Sequence, residues 1–184
     1  GKLVMTENSN IPFMQAKDLY YPKYIPNLTM PRKGGGAVIY REGSFFHDRQ
    51  IIVCYKHKLN VWNGPKPQFD SVSLAGTISK LEDGKPLKIL LYGDSISVGA
   101  NSSSLSQVPP YLPIWGKLIV SELERKYKSE ITFINQSLGG KTSIWGKKQA
   151  SKLVASHHPD LVIVAFGMND GAGDGVGDGI SPSS

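Results

Sequence analysis

Three short clusters in the second half of this 184-residue chain hold the groups that acyl-transfer chemistry requires. Gly93-Asp94-Ser95 offers a hydroxyl nucleophile. Asn135-Gln136-Ser137-Leu138-Gly139-Gly140 ends in glycines whose backbone N–H groups are unobstructed by side chains. Gly167-Met168-Asn169-Asp170 offers a primary amide. Attack on an ester carbonyl needs a nucleophile together with neutral donors aimed at the oxygen where negative charge develops. Plainer roles stand beside this one. Ser95 could N-cap a helix, Gly139-Gly140 could be only a strand-to-helix turn, and Asn169 could occupy a left-handed turn position.

The elements that must position these clusters are legible. Leu87 to Tyr92, Ile131 to Ile134 and Asp160 to Gly167 read as apolar strands, and each of the three clusters stands at a strand's carboxyl end. Between them, Trp115, Ile119, Leu123 and Tyr127 recur every four positions, which predicts a helix over Ile114 to Lys128. Ile144, Leu153, Val154 and His157 support a second helix over Ser143 to His157. Strands alternating with helices imply parallel βαβ units and a covered sheet. In such sheets ligands bind where the loops leave the carboxyl ends of the strands.

Gly93-Asp94-Ser95-Ile96-Ser97, then Asn135 to Gly140, then Gly167 to Asp170 resemble, in order, the first three conserved blocks of the SGNH (GDSL) hydrolases. The resemblance covers about residues 86–170. It implies an α/β fold with a three-layer flavodoxin-like sheet, here incomplete, and a serine ester hydrolase with no metal or organic cofactor. It also implies Ser95 as nucleophile, with an oxyanion hole built from the Ser95 N–H, the Gly140 N–H and the Asn169 side chain. Tyr55-Lys56-His57, Trp62-Asn63-Gly64-Pro65, Ser73-Leu74 and Leu81 look similar to the linker of two-domain carbohydrate acetylesterases, which join a small β-sandwich to an SGNH domain. That likeness implies a small ester or acetylated saccharide as substrate, and it favours a secreted or periplasmic setting although no signal peptide opens the sequence.

The first part of the chain differs in texture. Turn formers such as Pro22, Pro26, Pro31 and Gly34-Gly35-Gly36 separate short apolar stretches without sustained helical periodicity. Residues 1–80 are therefore expected to form a β-rich, sandwich-like region, and 81–184 the N-terminal portion of an α/β hydrolase domain. Val38-Ile39-Tyr40 running through Arg41-Glu42-Gly43 to Phe45-Phe46 predicts a hairpin, and Gln50 to Tyr55 a strand.

The family pattern breaks at its last block, Asp-x-x-His, which holds the general base and has no counterpart in this sequence. The four histidines are His47, His57, His157 and His158. The last two precede the third α/β strand, at the edge opposite Ser95. The first two belong to the β-rich part and would need an unusual interdomain arrangement to reach the site. A chain that is truncated, cleaved or only partly represented accounts for this most simply. The alternative is an inert fragment or pseudoenzyme that keeps only carbohydrate binding or partner association, since loss of a triad member leaves residual catalysis. An uncovered edge on the third strand further predicts a homo-oligomer or a complementary C-terminal fragment as partner.

Composition excludes several other classes. The formal charge of +6 comes from dispersed lysines and arginines without a nucleic-acid module. No apolar run approaches the roughly 20 residues of a membrane span. A single cysteine, Cys54, excludes an internal disulfide and a cysteine-rich zinc site. The glycine-rich stretch holding Asp174 and Asp178 lacks the ligand order of a calcium loop. No Gly-x-Gly-x-x-Gly or Walker loop follows a strand, which argues against nucleotide binding.

Overall fold

The computed structural model describes residues 13–32, 34–40, 43–51, 56, 64–66, 68 and 70–170. The remainder of the expected strand from Gln50 to Tyr55, the linker residues around Trp62, and the Asp174/Asp178 stretch lie outside the described residues; Gln50 and Ile51 are not in a strand.

A one-turn helix α1 (Ala16–Leu19) leads into three short strands, β1 (Tyr20–Tyr21), β2 (Thr29–Pro31) and β3 (Ala37–Ile39). They form an antiparallel sheet in the order β1-β3-β2, with Met30 opposite Val38 and Tyr20 opposite Val38 on the other side. Ala37 and Ile39 are buried beneath it. The hairpin partner of β3 is thus Thr29–Pro31 and not Phe45-Phe46, which corrects the sequence expectation. The reason is local. The Ser44 hydroxyl donates to Asp48 at 2.6 Å, Arg49 donates to the Phe45 carbonyl at 2.8 Å, and the Arg49 guanidinium lies over the Phe45 ring. These bonds curl residues 43–49 into a turn ending in a short 3-10 helix (His47–Arg49). One antiparallel sheet is seen among the described residues, and no second layer of a sandwich.

Helix α2 (Ala75–Glu82) is absent from the sequence reading, because Gly76, Thr77 and Ser79 hide its period. It seats Leu81 in the core with Leu87, Ile89, Val120 and Ile131. The α/β layer follows: β4 (Leu87–Gly93), α3 (Ser95–Val98), α4 (Trp115–Tyr127), β5 (Ile131–Asn135), α5 (Ser143–Leu153) and β6 (Leu161–Ala165). The two long helices and three strands lie close to where sequence periodicity puts them. The second helix ends earlier than expected and finishes as a 3-10 turn (Ala155–His157).

The parallel sheet has the order β5-β4-β6, with Leu87 opposite Ile131 and Gly93 opposite Ala165. Central β4 is covered on both faces, which explains its near-continuous burial. Leu87, Ile89 and Leu91 face α2 and α4, whereas Tyr92 faces α5. Two glycines let the helices approach. A Cβ at Gly116 would meet Phe133 and Leu91 at 2.7 and 2.8 Å, and one at Gly146 would meet Phe166 at 2.7 Å. The Tyr92 hydroxyl donates to the Gly146 carbonyl at 2.8 Å and its ring packs edge-on against Phe166. Burial raises the Tyr92 pKa. The result is a three-layer α/β arrangement whose strand order is that of the first three strands of a flavodoxin-like sheet.

Asp160 ties the start of β6 to β4 and α2. Its carboxylate accepts from Lys80 Nζ at 2.6 Å and from the Lys88 N–H at 2.8 Å. The Lys80 bond, then the Lys88 bond, hold its pKa below the ordinary 3.8. A depressed carboxylate stabilises the fold above its unfolded pKa, and that contribution is lost as pH falls through the folded value. Asp160→Asn should therefore cost about 0.5–1 kcal/mol at pH 7, allowing for screening of the half-exposed Lys80. In urea unfolding the deficit should shrink as pH drops below 3.8.

Candidate active site

The carboxyl end of β4 delivers Ser95. The Asp94 N–H donates to the Ala165 carbonyl at 3.3 Å, closing the crevice between β4 and β6, which is the switch point of this strand order. Asp94 is 2% exposed and serves as the N-cap of α3, its carboxylate accepting from the Ile96 N–H at 3.0 Å. Capping therefore falls to Asp94, and Ser95 becomes the first residue of the turn, half-buried, with its hydroxyl not needed for the cap. Gly93 permits the geometry. A Cβ there would strike the Ala165 carbonyl and approach Ser97 Oγ to 2.5 Å.

The second and third clusters close on the same point. The Leu138 N–H donates to the Gly93 carbonyl at 3.0 Å, folding residues 136–140 back across the end of β4. A Cβ at Gly139 would sit 3.7 Å from Ser95 Cβ, so the two backbones are near neighbours. Gly140 has φ +72° and open space on its side-chain side. Asn169 Nδ2 donates to the Lys141 carbonyl at 3.0 Å, which ties this amide to the residue after Gly140. A primary amide has two N–H donors, so one remains for another acceptor. Asp170 accepts from the Ser143 N–H at 2.7 Å and fixes the third cluster to the start of α5. Asn135 bridges the clusters: its Nδ2 donates to the Ser97 carbonyl at 2.8 Å and its Oδ1 accepts from the Ser137 N–H at 3.0 Å. The structure thus sets Ser95 against Gly139 and ties Asn169 to Lys141, the residues on either side of Gly140.

A cavity of about 630 Å³ opens beside Ser95. Its wall includes Ile96, Asn101, Leu112 and Trp115 from the α/β part, and also Tyr40, His47 and Gln50 from the segment after β3. None of those three belongs to the three clusters that the sequence marks out. The joint is explicit: His47 Nε2 lies 3.1 Å from the Asn101 carbonyl, and Gln50 Nε2 lies 3.5 Å from His47 Nδ1. Nothing in the local sequence signals a contact between residues 54 positions apart. His157 does not line this cavity, but its ring reaches the second cluster, with Nε2 2.9 Å from Gln136 Nε2, while its carbonyl is held by Lys88 Nζ. Among the described residues no group of three or more His, Cys, Asp and Glu side chains could hold a metal ion.

The crowding at Gly93 has a measurable consequence. Gly93→Ala should lower stability by about 1–3 kcal/mol through overpacking against Ala165 and Ser97. Gly76→Ala, on α2 with nothing within 4 Å of the new methyl, should instead be neutral or stabilising by up to about 1 kcal/mol. Paired urea titrations of the two variants check the contrast.

Known proteins are similar to this chain in sequence. An arylesterase of Vibrio mimicus is 33% identical over 84 residues, 46% of this chain and 38% of that protein. Thioesterase 1/protease 1/lysophospholipase L1 of Escherichia coli strain K12 is 31% identical over 83 residues, 45% of this chain and 35% of that protein. Among solved structures, a two-domain esterase (CEX) active on acetylated mannans, co-crystallised with mannopentaose, shares 29% identity over 54% of this chain and 26% of its own, with a TM-score of 0.47. The chain therefore spans less than two-fifths of the length of these curated relatives. Residues 91–183, half of the chain and all three clusters, match the model of the GDSL-like Lipase/Acylhydrolase family, and the chain belongs to that family.

Proposed function

We propose that this chain carries the nucleophile and carbonyl-binding groups of a serine ester hydrolase. The observation that supports it most is the convergence at the end of β4: Gly139 lies against Ser95, and the Asn169 amide is anchored on Lys141, the residue after Gly140. In the proposed reaction Ser95 Oγ bonds to the ester carbonyl carbon. The oxyanion that forms accepts hydrogen bonds from the Ser95 N–H, the Gly140 N–H and the free N–H of the Asn169 amide. As the intermediate collapses, the carbonyl carbon's bond to the alcohol oxygen breaks. The Ser95 proton passes through a general base to that oxygen, and water then releases the acyl group from Ser95. Family membership and an arylesterase relative at 33% identity support the reaction class.

The finer reading is a short acyl group on a carbohydrate. Among the described residues the cavity beside Ser95 is lined without any Asp, Glu, Lys or Arg, and combines the Tyr40 and Trp115 rings with the Gln50 and Asn101 amides and the Ser103 hydroxyl. Such a wall suits a neutral, hydroxylated ligand better than an anionic one. The division into a β-rich region over 1–80 and a hydrolase region over 81–184 remains part of this proposal.

A second reading, a catalytically inert fragment, rests on the imidazoles. His47 has both ring nitrogens facing partners, Asn101 and Gln50, and His157 is turned toward Gln136. A serine-directed phosphonate separates the two readings. Ser95 should become covalently labelled in the full protein, with Ser95→Ala unlabelled and turnover of a short-chain nitrophenyl ester abolished. Turnover by Ser95→Ala equal to that of the parent sinks the assignment, and a 184-residue chain that resists labelling while the full protein reacts supports the inert reading for the isolated chain. Asn169→Ala should lower kcat by about 10²–10³ with KM little changed, the pattern of a donor that acts in the transition state.

A further inference from the structure

The imidazole of His157 meets the second cluster from the turn beyond α5. Its Nε2 lies 2.9 Å from Gln136 Nε2, a contact between half-buried side chains 21 positions apart. No step of the proposed reaction uses it. A primary amide nitrogen carries only donors, so the imidazole nitrogen that faces it accepts, and the ring hydrogen stands on Nδ1. We propose that His157 is a positioning residue: through the Gln136 amide it fixes the second cluster, and with it the Gly140 N–H that meets the oxyanion. This rests on the ester-hydrolase reading of the Ser95 site and adds to it a residue outside the three clusters.

The need for such a hold follows from the composition of the loop. Gly139 and Gly140 are adjacent, and Gly140, at φ +72°, has open space where a Cβ would stand. Neighbouring glycines have wide backbone freedom. The direction of the Gly140 N–H is therefore decided by the residues on either side. On the far side, Asn169 Nδ2 donates to the Lys141 carbonyl at 3.0 Å and the Ser143 N–H to Asp170 at 2.7 Å. On the near side the backbone is stitched to β4, the Gln136 N–H donating to the Leu91 carbonyl at 2.9 Å and the Leu138 N–H to the Gly93 carbonyl at 3.0 Å. The Gln136 side chain adds a tie to the α5–β6 connection.

His157 is itself an anchored point. Its carbonyl accepts from Lys88 Nζ at 2.9 Å, and its N–H donates to the Val154 carbonyl at 3.1 Å. Three residues on, the Asp160 N–H donates to the Lys88 carbonyl at 2.9 Å and the Asp160 carboxylate accepts from the Lys88 N–H at 2.8 Å. Lys88 belongs to β4, the strand whose carboxyl end delivers Ser95. The imidazole and the nucleophile thus hang from one strand, and the Gln136 bond joins them through the second cluster. Removing the imidazole leaves a half-buried amide without its acceptor and the loop without its cross-tie. A shift of about 1 Å at a catalytic group costs up to about 10²-fold in rate.

The tautomer tests the bond in the unaltered protein. With isotope-labelled histidine nitrogens in the full protein at mildly alkaline pH, His157 should carry its hydrogen on Nδ1, and Gln136→Leu should abolish that preference. His157→Leu and Gln136→Leu should each move the backbone amide resonances of Gly139 and Gly140. Each should also lower kcat on a short-chain nitrophenyl ester by about tenfold, with KM within about twofold of the parent. The double variant should lose no more than either single one, because both remove the same bond. His157→Gln, whose Oε1 can accept from the same amide, should restore most of kcat. A His157 hydrogen on Nε2, unmoved glycine amides in His157→Leu, additive losses, or a loss carried by KM would overturn the positioning role. If His157→Leu does not fold, the tautomer and the Gln136→Leu rates decide. Moved glycine amides in a protein whose Ser95 resists the phosphonate would uphold the hold on the second cluster and reject the hydrolase reading instead.

Discussion

The geometry of the candidate site depends on one crowded backbone junction, where Gly93 ends the central strand. Its carbonyl accepts the Leu138 N–H, and the next residue's N–H donates to Ala165. Two flanking strands are thereby tied to a single peptide, and the loops that leave them must converge there. The tie is possible because residue 93 has no side chain, since a methyl would collide with Ala165 and Ser97. Beneath it, Leu87, Ile89, Leu90 and Leu91 are almost wholly buried and anchor the strand between two helical layers. Dense packing of this kind has low compressibility, which favours a fixed position for the strand end.

In the proposed reaction, rigidity at that point has a chemical purpose. Oxyanion stabilisation depends on donors already in place when charge develops, because reorganising them would itself cost free energy. The groups around the serine are held by bonds that a substrate would not replace. Asp94 caps the turn that presents Ser95, Asn169 uses one amide hydrogen on Lys141, and Asn135 links Ser97 to Ser137. The carboxamide of Asn135 does not need to meet a ligand to matter: it holds the first two clusters together.

The α/β half was legible because its physics is local. A strand covered on both faces must be apolar at successive positions, as Leu87 to Tyr92 is, and a helix on such a sheet must repeat its apolar residues at helical spacing, as Trp115 to Tyr127 does. The three clusters could be placed because each follows directly from a strand. Helix α2 was missed because its core contact rests largely on Leu81, within a polar and glycine-containing stretch. The Phe45-Phe46 pair read as a strand from its aromatic content. Its conformation is instead set by side-chain bonds from Ser44 and Arg49, which composition does not reveal. Least legible was the meeting of His47, Tyr40 and Gln50 with the Ser95 cavity. It joins segments distant in sequence, and a lone histidine in a turn gives no sign of its partner.

In the proposed reaction a carbonyl carbon bound to Ser95 directs its oxygen at donors from all three strand ends. A crystal structure of the full protein with a phosphonate adduct on Ser95 tests this most directly. The account predicts the phosphoryl oxygen at about 2.7–3.1 Å from the Ser95 N–H nitrogen, the Gly140 nitrogen and Asn169 Nδ2, with the Lys141 bond to Asn169 retained. A phosphoryl oxygen turned away from Gly140 and Asn169, toward solvent or toward His47, would contradict it.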